Sequence, residues 1–130
     1  MKIEHIALYV KEPVAVARWY SDHLGMRVVR SGGAPSYTHF LADTPGSTIL
    51  EIQTGGLPAP DYAALDPNLL HVALATDDAA ATRQRLLAAG ATAVGEITTV
   101  ASGDELAMLR DPWGLAIQLV RRSRPLVEAR

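Results

Sequence analysis

The sequence predicts an α+β fold of two tandem βαβββ modules within a single 130-residue domain. Three observations carry that expectation. HIALYV (5–10) is echoed by HVALAT (71–76), so the chain contains an internal repeat. Each of these apolar strands runs straight into an amphipathic segment that ends at a glycine. Three further strand candidates then follow each helix.

The first strand leads into EPVAVARWYSDHLG, where Pro13 suits the first helical turn and Gly25 the C-terminal stop. MRVVRS, YTHFLAD and STILEIQT complete the first module, about 1–54. GGLPAPDYAALDPN (55–68), rich in Gly and Pro, reads as the linker. The second module, about 69–122, continues with DDAAATRQRLLAAG, opening on N-cap-type aspartates and ending at Gly90. ATAVGEITTV, ELAMLRD and GLAIQLVRR are its last three strands. Turn chemistry separates the final pair in each module: Thr44-Pro45-Gly46-Ser47 in one, Asp111-Pro112-Trp113-Gly114 in the other.

Composition narrows the function. Twelve Lys and Arg against fourteen Asp and Glu give a net charge of −2, without the basic footprint of a nucleic-acid or anionic-membrane binder. There is no cysteine, so disulfides and thiolate metal sites are excluded. No apolar run reaches the roughly 18 residues of a membrane span, and the first residues lack signal-peptide features. The expectation is a cytoplasmic protein whose chemistry draws on His5, His23, His39 and His71.

The repeat extends to the last strand of each module, where ILEIQ (49–53) corresponds to AIQLV (116–120). Glu51 and Gln118 are therefore equivalent positions, as are His5 and His71. Strand side chains alternate with period two, which sorts the faces. Ile3, His5, Ala7 and Tyr9 share one face and Ile6, Leu8 and Val10 the other; Ile49, Glu51 and Gln53 oppose Leu50 and Ile52. His71, Ala73 and Ala75 oppose Val72 and Leu74, and Ala116, Gln118 and Val120 oppose Ile117 and Leu119. The large aliphatics suit a helix-packed face, and the polar residues, among small neighbours, suit a cavity wall. Singly, each polar residue is explained as well by a structural role. Four at paired positions of a repeat point to a site.

Imidazole, carboxylate and amide oxygen together suit Zn, Ni, Co, Mn or Fe(II). With fewer protein donors than the metal prefers, positions stay open for substrate oxygens. If Pro45-Gly46 forms a two-residue hairpin loop, Phe40 lies opposite Glu51 and His39 points away; a three-residue loop reverses this. His23 suits the negative end of the first helix, and Trp19 and Tyr20 suit helix packing. Trp113 either caps the cavity or is an exposed loop aromatic.

The motifs IEHIALYV, RWYSDHLGMRVVR, ILEI, LHVALATDD with its helix ending AAGA, and DPWGLAIQLV resemble the vicinal oxygen chelate superfamily over nearly the whole chain. That superfamily includes glyoxalase I, methylmalonyl-CoA epimerase, extradiol dioxygenases and bleomycin-binding proteins. The resemblance implies curved mixed sheets enclosing a metal cavity, one divalent ion, a small-molecule substrate and a homodimer. It implies His5, Glu51, His71 and Gln118 as metal ligands, the same four that the repeat selects. Tyr9, Phe40 and Trp113 are the candidate substrate contacts.

The chain looks most like small bacterial glyoxalase I, with three departures. Gln118 stands where that enzyme usually has glutamate, Tyr9 where it often has arginine, and QTGGLPAP lacks the asparagine expected to contact glutathione. Methylmalonyl-CoA epimerase resembles this ligand set with the halves exchanged. The implied function is a lyase or isomerase working through a metal-stabilised enolate, with Glu51 as base. The alternatives are an antibiotic- or metabolite-binding protein and an Fe(II) dioxygenase using His5, His71 and Glu51.

Overall fold

A computed structural model describes residues 1–128. The chain divides into two compact units, Met1–Pro60 and the part from Asp61 onward. The first contains β1 (His5–Tyr9), α1 (Pro13–His23), β2 (Arg27–Ser31), β3 (His39–Ala42) and β4 (Ile49–Gln53). The second opens with a 3-10 turn at Tyr62–Ala64. It continues as β5 (Val72–Ala75), α2 (Ala79–Ala88), β6 (Thr92–Thr99), β7 (Glu105–Arg110) and β8 (Ala116–Arg121). The α+β class and the doubled βαβββ order are those expected. His71 falls one residue before the first ladder position of β5, and the stretch expected to be plain linker holds the 3-10 turn.

Each unit carries a four-stranded mixed sheet, ordered β1-β4-β3-β2 and β5-β8-β7-β6, and neither closes into a barrel. The first strand of each sheet pairs parallel with the last, the helix crosses to the far edge of the sheet, and the other pairings are antiparallel hairpins. Both helices end as their sequences require: Gly25 and Gly90 take φ of +67° and +106°, conformations that cost a side-chain-bearing residue dearly. At the other end of α2, Asp78 caps the helix by accepting the Ala81 N–H.

The cores follow from the apolar faces. Tyr20, Leu41 and Ile52 are fully buried in the first unit, and Leu86, Leu109, Ile117 and Leu119 in the second. Each such side chain contributes about 1.5–3 kcal/mol of hydrophobic stabilisation. Trp19 and Tyr20 are buried on α1, as expected of packing residues. One facing expectation fails: Ile6 is 51% exposed although it alternates with buried Leu8. The reason is positional. Ile6 lies at the start of the edge strand β1, whereas Leu8 and Val10 further along the same face are buried.

Two aspartates secure the hairpins that aim the last strand of each sheet. Asp43 Oδ1 accepts the Ser47 and Thr48 N–H groups, and Asp111 Oδ1 accepts those of Trp113 and Leu115. Arg110 ties the second hairpin to the 3-10 turn, donating from Nη1 to the Tyr62 and Gly114 carbonyls and from Nη2 to that of Leu65.

Beyond β8, Asp104 anchors the chain. The Ser123 N–H at 2.7 Å and Arg122 Nη1 at 2.9 Å hold its carboxyl at about 2, below the ordinary 3.8. A carboxyl depressed in the folded state stabilises fully above its unfolded value and loses that contribution as pH falls through the folded one. The melting temperature of the wild type should therefore fall more steeply than that of Asp104→Asn as pH drops from 3.8 to about 2. Parallel curves for the two proteins in thermal melts would contradict this.

Candidate metal and substrate site

On the first sheet, β1 and β4 run parallel with Ala7 opposite Glu51, so His5 and Glu51 project from the same face. Their side chains meet: His5 Nε2 lies 3.0 Å from Glu51 Oε2. The other ring nitrogen, Nδ1, lies 2.9 Å from Glu4 Oε1 and can donate to it. In that tautomer a neutral ring bears its lone pair on Nε2. Two electron-pair donors facing each other at 3.0 Å need a cation between them, either a proton or a metal ion.

Phe40 closes the row. The β3–β4 register sets Phe40 opposite Glu51 and His39 opposite Ile52, the arrangement expected of the shorter hairpin loop. The phenyl ring stands edge-on to the His5 imidazole, centroids 5.9 Å apart and planes at 87°. His39 accordingly lies on the helix side, in a groove with Ala17, Arg18, Ser21 and Asp22, and its Nδ1 donates to the Tyr37 carbonyl at 2.6 Å. Tyr9 shares the His5 face, and its hydroxyl accepts the Leu57 N–H at 2.8 Å.

In the second unit, Gln118 sits mid-strand between Ala73 of β5 and Met108 of β7. His71, two residues before Ala73, donates from Nδ1 to the Pro67 carbonyl at 2.8 Å. A carbonyl can only accept, so Nδ1 carries the hydrogen and the lone pair of a neutral ring is on Nε2. A backbone carbonyl that orients a histidine in this way is the usual support for a metal ligand. A cleft of about 680 Å³ opens on the Gln118 side of the sheet, lined by Ala73, Ala75 and Val120 with Arg121 and Leu126. That volume is within the range of small-molecule sites.

Trp113 is set by the hairpin before β8, where its N–H donates to Asp111 Oδ1. Arg30 is a residue that alternation did not find. Its guanidinium carbon lies 6.0 Å from the Phe40 centroid, on the face of Glu51.

The donors fit the chemistry of a divalent metal. Bonds of about 2.1 Å to nitrogen and oxygen at roughly a right angle place the two donor atoms about 3.0 Å apart. His5 Nε2 and Glu51 Oε2 already have that separation. Among the described residues no group of three or more His, Asp or Glu is arranged to hold a metal.

The doubled βαβββ fold is the feature that places the chain among known proteins. The chain belongs to the Glyoxalase/Bleomycin resistance protein/Dioxygenase superfamily, whose profile matches residues 2–119. It is 29% identical over 124 residues to a lactoylglutathione lyase of Haemophilus influenzae, covering 92% of each chain. Solved structures share the fold. A glyoxalase I mutant from Zea mays superposes with a TM-score of 0.76 at 22% identity, over 95% of this chain and 46% of that one. TnmS3, an antibiotic-binding protein from Streptomyces sp. CB03234, does so with a TM-score of 0.71 at 22% identity, over 95% and 97%.

Proposed function

We propose that the protein is a metal-dependent lyase or isomerase acting on a small substrate with two adjacent oxygens. The observation that carries this reading is the 3.0 Å edge between His5 Nε2 and Glu51 Oε2. His5, Glu51, His71 and Gln118 form the donor set. A catalytic metal takes about three or more protein donors, so both halves of the set are needed, from one chain or from two copies. When bound, the ion supplies Lewis-acid stabilisation of the negative charge that develops on a substrate oxygen.

The chain's own residues divide the remaining work. Glu51 is the base that takes the proton beside the carbonyl. Its Oε2 is engaged by His5, while Oε1 has no hydrogen-bond partner among the described residues. Gln118 cannot accept a proton usefully, so transfer proceeds from one face only. Phe40 packs against the imidazole and helps to orient it. The lactoylglutathione lyase relative supports a lyase, and the glutamine at 118 supports a substrate other than the glutathione hemithioacetal. The reading includes a homodimer and a cytoplasmic setting. Net charge of −2 supports neither nucleic acid nor membrane as partner. No helix among the described residues is long and apolar enough to cross a membrane.

A second reading, an antibiotic- or metabolite-binding protein, draws on half-buried Phe40 and Tyr9 and on the fold shared with TnmS3. Solvent exchange separates the two. Metal-loaded protein is incubated under argon in deuterated buffer with α-hydroxyketones and with methylglyoxal hemithioacetals of glutathione and of cysteine. The proposal expects deuterium beside the carbonyl, lost about a thousand-fold in Glu51→Gln. Tight binding without exchange supports the binding reading. Turnover only in the presence of oxygen supports Fe(II) oxygenase chemistry.

A further inference from the structure

We propose that Arg30 is the anion anchor of this site, so that the substrate carries a carboxylate on the Phe40 side of its paired oxygens. The inference rests on the functional reading above and narrows it to a substrate class. Its origin is a defect in the β2–β3 ladder. Without interruption, Val29 would oppose Phe40 and Arg30 would oppose His39, sending the guanidinium to the helix side. The observed register instead pairs Val28 with Leu41, Arg30 with Phe40 and Ser31 with His39. One extra residue is accommodated between Val28 and Arg30, and Arg30 is turned to the Glu51 face. Bulges beside functional sites re-aim side chains in this way.

What the bulge delivers is a cation laid over an aromatic ring. The guanidinium carbon is 6.0 Å from the Phe40 centroid, and the His5 imidazole stands 5.9 Å from the same ring. Arg30 and the His5–Glu51 pair thus flank one phenyl group. Three arginines of the second unit are engaged: Arg110 with three carbonyls, Arg121 with Glu105 and Arg122 with Asp104. Arg30, by contrast, is exposed and has no carboxylate partner among the described residues. The ring face attracts the cation without using its N–H donors, which leaves the planar fork available to a bidentate carboxylate. Lysine cannot reproduce that fork.

The test uses Co²⁺-loaded protein and two probes that present paired oxygens, glutarate monohydroxamate and uncharged pentanohydroxamate, followed by calorimetry at low salt. The wild type should bind the carboxylated probe about 5-fold more tightly, a preference that shrinks as ionic strength rises. Arg30→Gln should abolish the preference and leave pentanohydroxamate affinity unchanged, while Arg30→Lys should retain only part of it. Equal affinities in the wild type, or a preference that survives in Arg30→Gln, would overturn the assignment of Arg30 while the metal-site reading stands. If pentanohydroxamate fails to bind as well, both readings fall.

Discussion

Gly114→Ala destabilises the protein by about 3 kcal/mol or more in urea or thermal unfolding, the largest stability effect expected of one added methyl group here. Gly114 takes φ of +98°, where a side chain is strained whatever the surroundings. It also abuts the 3-10 turn: an added Cβ would lie 2.7 Å from Ala63 Cβ and 2.8 Å from its backbone nitrogen. A flexible side chain could swing away, but backbone cannot, and Arg110 holds the carbonyls on both sides of that contact. Gly90→Ala supplies the control. Its φ of +106° is as demanding, yet the nearest atom to an added Cβ is Pro112 Cγ at 3.5 Å. That substitution should cost only the conformational strain, about 1–2 kcal/mol. Equal losses in the two variants would show that the contact with Ala63 contributes nothing.

His5→Ala weakens divalent-ion binding by about 100-fold or more, whereas Glu4→Gln weakens it by about 10-fold. The difference follows from position. His5 Nε2 forms one end of the 3.0 Å donor edge, and Glu4 touches only the opposite ring nitrogen. Removing the ligand eliminates a metal bond. Removing its support lets the ring turn and lowers its basicity, a smaller loss. Glu4 is also exposed, so water replaces part of its hydrogen bond. Isothermal titration of each variant with Co²⁺ or Ni²⁺ checks the order. Equal losses would place His5 outside the metal shell.

The strands and helices were legible because period-two and helical patterns repeat across the two halves. That repeat also singles out His5 with His71 and Glu51 with Gln118. The meeting of His5 with Phe40 followed from the hairpin register, which turn chemistry had narrowed to two choices. Other features depended on long-range packing. Nothing in RVVRSGG marks where an extra residue enters the ladder, so alternation assigned no role to Arg30. Ile6 reads as a core residue by alternation and is exposed because it lies at the start of the edge strand β1. The 3-10 turn hidden in the linker acquires its importance from Arg110, more than forty residues away. Local pattern could not reveal that clasp.

The central claim is that His5, Glu51, His71 and Gln118 act as one metal shell. Its most direct test is the divalent-metal content of tag-free protein purified without chelator, compared with the His5→Ala/His71→Ala double variant. The account predicts about one ion per site in the wild type and none in the folded double variant. Equal metal content in the two proteins, or none in either after incubation with Zn²⁺, Ni²⁺ and Co²⁺, would contradict it.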